Sequence, residues 1–479
     1  MRVNYRHLTI AACMVVVGLP FGATAQKAKK ENTDSASTHF SYGRPDFWRA
    51  YDASGINVFE TTKDDYNKPY TGMKIRFGSA FTQQYQDLKH ENPDAAFNQT
   101  TNKLFPINNG FMTAQASLFL DAQLADGIRL NVATYLSSRH HNEAWVKGGY
   151  IQFDKLPFKG KIFDDIMKVT TIKIGEYDVN YGDQHFRRSD GGHVMYNAFM
   201  DNYIMDAFTT EIGGDITVQH NGFFGTFGLT GGVLKGYIDS VVSTSTNPEG
   251  QMQPSIILKA GIDKQITEDL RLRGSASWYH NGNTGNKWNT LYWGDRTGSN
   301  YNNVMEKWKG ADGVTPQAYT AIPWSGRLNP GFSQKVDAVM LNGFAKYKGF
   351  EVFGTYETAS GCSGAAYTGA NAKFTDSARR TMNQFAIEGI YRLSLGNPEN
   401  VFIGARYNTV SGKLASSPTI IYTDDITVNR LAFSAGFFMT KNILLKAEYV
   451  KQQYKNFPTT DYRAGGKFDG YVIEAAISF

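Results

Sequence analysis

Hydrophobic and polar residues alternate one by one along most of the chain after residue 72. The last ten residues show this pattern clearly, because Tyr471 and Ile473 fall on one face and Val472 and Glu474 on the other. A period of two places successive side chains on opposite faces of a β-strand. About sixteen segments with this pattern follow one another up to the C-terminus, so the sequence predicts an all-β chain.

The connections between these segments alternate in length. Several are tight turns, such as Asp126-Gly127, Asn221-Gly222 and Lys348-Gly349, which are strong hairpin signals. The long connections fall between them, at 85–110, 176–205, 236–252, 281–333, 359–380, 412–424 and 455–467. Short turns at one rim and long loops at the other are typical of outer-membrane barrels. Two connections fit less well, the longer turn at 154–167 and the brief loop at 139–142.

The two faces of each predicted strand differ in polarity. In the strand that begins at Leu270, Leu272, Ala276 and Trp278 lie on one face, and Arg271 and Arg273 lie on the other. A lipid environment cannot satisfy backbone hydrogen bonds, so a spanning sheet must close on itself with its apolar face outward. The sequence therefore predicts a transmembrane antiparallel β-barrel of about 16 strands, with short periplasmic turns and long extracellular loops.

The N-terminus carries the signals of secretion. Arg2 and Arg6 precede an apolar run, and Ala23-Thr24-Ala25 forms a small-x-small cleavage site. We therefore predict a signal peptide at 1–25, a partly disordered periplasmic lead-in at 26–71, and the barrel at 72–479. The predicted localisation is the bacterial outer membrane, with membrane lipid and lipopolysaccharide as partners.

Composition and motifs exclude several classes of protein. The formal net charge of +5, of which the signal peptide supplies two positive charges, is too small to indicate nucleic-acid binding. The mature chain keeps Cys362 as a lone cysteine, so no internal disulfide is expected. The loop histidines, among them His185 and His193, show no metal-ligand spacing, and no nucleophile-elbow motif is present. We predict neither an enzyme nor a cofactor or metal site.

Charged residues occupy the inward-facing positions of many predicted strands. The bases include Arg271, Arg273, Arg406 and Arg430, and they outnumber the acids of the same face. Rings of charge inside a pore set its ion preference, so this excess suggests a mild preference for anions. The alternative is that these residues pair with one another and stiffen the wall.

Loop 176–205 is the candidate constriction, with Asp183, His185, Arg187, Arg188 and Asp190 as its candidate pore residues. The stretch from Gly175 to His193 resembles the third loop of sixteen-stranded bacterial porins, especially porin-like proteins of the Bacteroidota, and more loosely phosphate-selective porins. The resemblance implies a loop that folds into the barrel and narrows it. A dense basic ladder is absent here, so phosphate selectivity is not carried over. The alternative for Arg187 and Arg188 is a solvated loop paired to the flanking aspartates.

The sequence thus predicts an outer-membrane porin through which small hydrophilic solutes diffuse passively. The final strand, ending on Phe479, resembles the closing strand of outer-membrane barrels, which implies that the barrel-assembly machinery is a partner. Such porins are commonly homotrimers, and the sequence does not decide whether this protein is one. The alternative function is a non-conducting barrel whose large extracellular loops bind a partner or glycan. Trp288, Trp293 and Trp324 in loop 281–333 could stack on sugars or pack the loop onto itself.

Overall fold

The computed structural model describes residues 41–96, 102–112, 116–136, 144–189, 194–234, 252–284, 288–293, 299–308, 324–362 and 379–479. All of them belong to one compact unit, Phe40–Phe479. The predicted signal peptide, the first part of the lead-in and the candidate site residue Asp190 lie outside the described residues.

In this part of the chain, sixteen antiparallel strands close into a barrel. They are β1 (Lys74–Glu91), β2 (Ala116–Ala125), β3 (Ile128–Leu136), β4 (Ala144–Phe153), β5 (Thr170–Asp178), β6 (Thr210–His220), β7 (Phe223–Thr230), β8 (Ser255–Gln265), β9 (Leu270–Asn281), β10 (Gln334–Tyr347), β11 (Phe350–Cys362), β12 (Arg380–Leu395), β13 (Asn397–Gly412), β14 (Ile426–Thr440), β15 (Ile443–Lys455) and β16 (Lys467–Ser478). Each strand pairs with its neighbours in sequence, and β16 pairs with β1 to close the cylinder. The predicted fold class is confirmed.

Two short strands, one α-helix and four 3-10 turns accompany the sixteen strands in the described part of the chain. Ser41–Tyr42 pairs in parallel with the start of β1, and Gly110–Met112 pairs with β1 ahead of β2. An α-helix, α1 (Lys161–Met167), lies in the connection between β4 and β5. Single 3-10 turns occur at Ala53–Gly55, Asp64–Asn67, Gln184–Arg187 and Val194–Tyr196. In the described part of the chain, no helix is long and apolar enough to cross a bilayer.

The alternation of side chains is the one that the sequence predicts. In β16, Tyr471, Ile473 and Ile477 are 61, 53 and 44% exposed, whereas Val472 and Glu474 are fully buried. Strands β9 and β13 follow the same rule. An apolar outer surface on a closed antiparallel barrel is the architecture of bacterial outer-membrane proteins, and we therefore place the chain in that membrane.

Tight turns join the strands at one rim, which outer-membrane topology makes the periplasmic rim. Asn221-Gly222 joins β6 to β7 with both residues at positive φ, 52° and 82°, which suits a two-residue hairpin turn. The α1 helix accounts for the longer connection at this rim, because a short helix needs more residues than a turn. The longest connections, including 179–209 and 282–333, leave the opposite rim.

Part of the lead-in lies inside the barrel near the periplasmic rim. The backbone N–H of Ala53 donates to the carbonyl of Lys441 in a periplasmic turn (2.8 Å), and the Lys63 ammonium bonds the Asp154 carboxylate at the same rim (2.8 Å). The rings of Trp48 and Tyr51 are buried, and both donate to the Asp121 carboxylate on β2, at 3.0 and 2.8 Å.

The described residues of the 179–209 connection also lie inside the barrel. Its residues Val194, Met195, Phe199, Ile204 and Met205 are all at most 2% exposed. They share one apolar cluster with inward-facing wall residues and with described residues of the 282–333 connection. The interior therefore contains a packed core, and the bore is much narrower than the wide, water-filled lumen expected of a sixteen-stranded barrel.

Candidate functional site: the occupied bore

The backbone of loop 179–209 is held by polar side chains of the wall. Asn342 accepts from the backbone N–H of Asp183 (2.8 Å), and Asn408 accepts from that of Ile204 (2.7 Å). Gln384 does the same for Met205 (2.9 Å) and Glu448 for Met200 (2.8 Å). A loop has no ladder partner for its N–H groups, and buried N–H groups are costly when unpaired. These wall residues supply the missing acceptors.

Asp183 is the centre of an ion cluster at the start of the loop. Its carboxylate bonds Lys259 of β8 (2.7 Å), Arg273 of β9 (2.7 Å) and the hydroxyl of Ser275 (2.7 Å). Burial favours the neutral acid, but Lys259 and Arg273 outweigh it and hold the pKa of Asp183 well below its usual range. Glu60 of the lead-in joins the same two bases, at 3.0 and 2.8 Å. Wall, loop and lead-in therefore meet at this cluster.

Arg187 and Arg188 are 5 and 2% exposed, so neither is a solvated loop residue. Arg187 bonds Glu388 of β12 (2.8 Å), and Arg188 forms an ion pair with Asp206 of its own loop. Of the two flanking aspartates in the alternative interpretation, Asp183 bonds Lys259 and Arg273, and Asp190 lies outside the described residues. Both arginines anchor the loop.

Arg406 and Arg430 extend from the wall to the same loop. Arg406 bonds Glu388 (2.7 Å) and donates to the Asp201 carbonyl (2.8 Å), and Arg430 bonds the Asp201 carboxylate (3.0 Å). Burial raises the pKa of Asp201, although Arg430 and Arg327 oppose the rise. Arg271 forms a bidentate pair with Asp263 and donates to the Asn57 carbonyl of the lead-in (3.0 Å).

The structure thus brings all described candidate residues into the barrel interior. It gives each arginine, and Asp183, ionic or hydrogen-bonded partners. His185 differs, because its Nδ1 is buried without a hydrogen-bond partner among the described residues. A role of these residues in ion preference stays a prediction, while their contacts support the alternative that inward-facing charges pair and stiffen the interior.

A cavity of about 170 Å³ remains between the lead-in, the start of loop 179–209 and one side of the wall. The wall side is formed by strands β2 to β6, for example by Ala133, Tyr150 and Thr217. The charged and ionisable lining residues are Arg49, Glu60, Arg129, Lys147, Lys173, Glu176, Asp178 and His185. The lining also contains the aromatic rings of Trp48, Tyr51, Phe59, Phe119, Tyr150, Tyr177 and Phe186.

Sequence reasoning missed Lys147, Lys173 and Glu176 as lining residues. The pairing of β3 with β4 slips beside Lys147, so that this residue is an extra one in its strand. In β5, Gly175 between Lys173 and Glu176 has a φ of 138°. Such irregularities redirect side chains next to functional sites, and they break the strict alternation on which the sequence analysis relied. The Gly148-Gly149 and Gly175 positions were the available signal.

No family model matches the chain, and no curated protein sequence does. Among solved structures, the barrel is similar to an anion-selective porin from Comamonas acidovorans (TM-score 0.48, 8% identity, 85% of this chain and 100% of that one). It is also similar to the outer membrane protein OmpT of Vibrio cholerae (0.45, 10%, 86 and 99%) and to the outer membrane channel DcaP of Acinetobacter baumannii (0.44, 10%, 86 and 99%). Identities and TM-scores this low establish nothing about what this chain transports or binds.

Proposed function

We propose that the protein is a narrow outer-membrane channel through which small hydrophilic solutes diffuse passively. Loop 179–209 is the constriction, and the 170 Å³ cavity beside it is the passage. This cavity is the single observation that carries the proposal. Much of the remaining interior is packed, and a larger cavity of about 640 Å³ beside Arg271, Glu351 and Arg392 has no residue of the loop in its lining. Passage through it requires no catalytic step.

The size of the cavity limits the solute. One water-sized probe occupies roughly 10–15 Å³ by this kind of measure, so about 170 Å³ holds on the order of ten water positions. A passage of this volume suits small molecules and ions, and its conductance should be well below that of a porin with an open lumen.

The lining charges favour a mild preference for anions. Four bases, Arg49, Arg129, Lys147 and Lys173, face three acids, Glu60, Glu176 and Asp178. A small positive excess in a narrow, low-dielectric passage raises the local anion concentration. Lipopolysaccharide contact, insertion by the barrel-assembly machinery and a homotrimer stay predictions.

The experiment is planar-bilayer recording of the purified protein and of Ala133→Trp. Ala133 lines the cavity, whereas its neighbour Val132 lies on the opposite face of β3. We expect small stepwise currents from the wild type, a reduction of at least about fivefold in Ala133→Trp, and no change in the matched control Val132→Trp. Equal currents from all three proteins would place the passage elsewhere.

A second candidate is a closed barrel whose extracellular loops bind a partner or a glycan, favoured by the packed interior. Trp288 and Trp293 are 54 and 37% exposed, and their ring centroids lie 5.1 Å apart. A wild type that gives no current, together with glycan-array binding that is lost in Trp288→Ala, would favour this candidate over the channel.

A further inference from the structure

We propose that the 170 Å³ cavity is a binding site for a small oxyanion, with Arg49, Lys173 and His185 as the residues that hold it. The inference rests on the proposed passage, and it adds the class of solute that pauses there. A carboxylate and a phosphate share the required chemistry, which is a compact group of negatively charged oxygen acceptors.

Arg49 supplies a charge without a carboxylate partner. Its Nη2 atom donates to the carbonyls of Gly55 (3.0 Å) and Phe186 (2.9 Å), and Nε donates to Gly55 as well (3.2 Å). Those bonds fix the guanidinium at the cavity, and the ring of Tyr196 lies 3.9 Å from it. It forms no direct ion pair among the described residues, and the carboxylates of Asp178 and Glu60 act on it only through space.

Lys173 supplies a second charge of this kind from the wall. It stands on β5, opposite Gln152 of β4, and its ammonium lies 5.4 Å from the ring of Tyr150. It too forms no ion pair and no hydrogen bond among the described residues. Inward-facing bases elsewhere on the wall, such as Lys259 and Arg406, bond carboxylates directly. Lys173 bonds no carboxylate directly among the described residues, although Asp215 of β6 is its register partner and the two charges act on each other.

His185 adds a neutral polar group from the loop. It is 7% exposed, lines the cavity, and its Nδ1 has no hydrogen-bond partner among the described residues. Burial, followed by the charge of Lys259, lowers the pKa of His185 well below its usual value. A neutral imidazole carries one N–H, and that donor can reach an anion without adding charge. A buried polar atom left unpaired is costly, and a bound acceptor would remove that cost.

The acids of the lining do not cancel these two bases. Glu60 is already committed to Lys259 and Arg273. Asp178 and Lys147 carry opposite charges, and both line the cavity. Glu176 accepts from the Thr210 hydroxyl (3.2 Å) and lines the cavity without a direct bond to Arg49 or Lys173. No described carboxylate bonds Arg49 or Lys173 directly, and that is the contact that a single small oxyanion would supply.

The test measures binding separately from conduction. Detergent-folded wild type, Lys173→Gln and the control Lys264→Gln are titrated by calorimetry with inorganic phosphate and, separately, with acetate. Lys264 lies near the end of β8, outside the cavity lining, with its ammonium 4.9 Å from the ring of Phe223. We expect at least one anion to bind the wild type and the control equally, and at least a tenfold loss of affinity in Lys173→Gln. Lys173→Arg, which keeps the charge, should retain most of the binding.

The outcomes separate the site from the channel. If anion binding depends on Lys173 but the protein passes no current, the binding-site proposal is supported and the channel proposal is overturned. If the protein passes current but binds neither anion, or if Lys173→Gln binds as well as the wild type, the binding-site proposal is overturned and the channel proposal stands. If Lys173→Gln does not fold, His185→Gln takes its place, and unchanged affinity in that variant counts against the site. Preference for phosphate or for acetate decides between the two oxyanion classes.

Discussion

At the scale of single residues, the interior charges of this barrel act as anchors. Arg187 and Arg188 point away from solvent, and each bonds a buried acid, Glu388 or Asp206. Removal of one partner from a buried ion pair leaves an uncompensated charge, which typically costs about 3–5 kcal/mol. Because these pairs join the loop to the wall and to itself, their loss should affect the position of the loop first.

The double variant Arg187→Ala/Arg188→Ala tests this role. If the two residues hold the constriction, single-channel conductance and current noise should rise severalfold, because the loop no longer narrows the bore. If they set ion preference, as the sequence suggests, the reversal potential in a salt gradient should move toward cations at unchanged conductance. Lys451→Ala, which removes an exposed base from β15, is the control and should alter neither quantity.

At the scale of elements, the strands were predictable and the internal segments were not. Strand β10 forms at Gln334–Tyr347, where the alternation of the sequence is strict and one residue in two faces lipid. The lead-in lacks such a pattern. Its apolar residues Trp48 and Phe59 contact Asp121 and Phe344, which are distant in sequence, so no local pattern indicates where the segment docks.

Glu60 makes the docking of the lead-in dependent on pH. Burial favours its neutral form, but Lys259 and Arg273 outweigh that effect and lower the pKa of Glu60 from 4.5 to about 2. A carboxylate with a depressed folded-state pKa contributes stability that is complete above its unfolded pKa and is lost as pH falls through the folded one. The contribution should therefore disappear between about pH 4.5 and pH 2.

Limited proteolysis of the lead-in by pepsin across that range measures this. We expect the wild type to become more susceptible as the pH approaches 2. Glu60→Gln should be susceptible already at pH 4.5 and should show a weaker dependence on pH. A wild type and variant with the same profile would mean that Glu60 does not hold the segment.

At the scale of the whole molecule, the apolar outer face requires a membrane, and the polar inner face requires internal segments that bond its side chains. Leu341 lies near the middle of β10 and is 49% exposed on the apolar face, whereas Asn342 next to it is buried and bonds the loop. A soluble protein would not leave such a face uncovered, and an open porin would not bury its inward-facing carboxylates as this one does.

Leu341→Arg measures the lipid exposure of the outer face. An arginine that faces lipid at mid-depth costs about 2–4 kcal/mol, and near the interface about 0–1 kcal/mol. We expect the larger loss in unfolding free energy for Leu341→Arg in lipid vesicles. Tyr347→Arg at the end of the same strand and on the same face should show the smaller one. Equal losses at both positions would contradict the predicted depth of β10.

The sequence by itself determined the barrel, its strand order and the polarity of its two faces, because strand pairing follows chain order and the alternation is local. Tertiary structure alone decided what fills the bore. Inward-facing positions such as Arg273, Arg406 and Glu448 look the same in sequence whether they meet water or a loop. Their partners Asp183, Asp201 and Met200 come from a connection whose path depends on contacts across the cylinder, and no periodicity encodes such contacts.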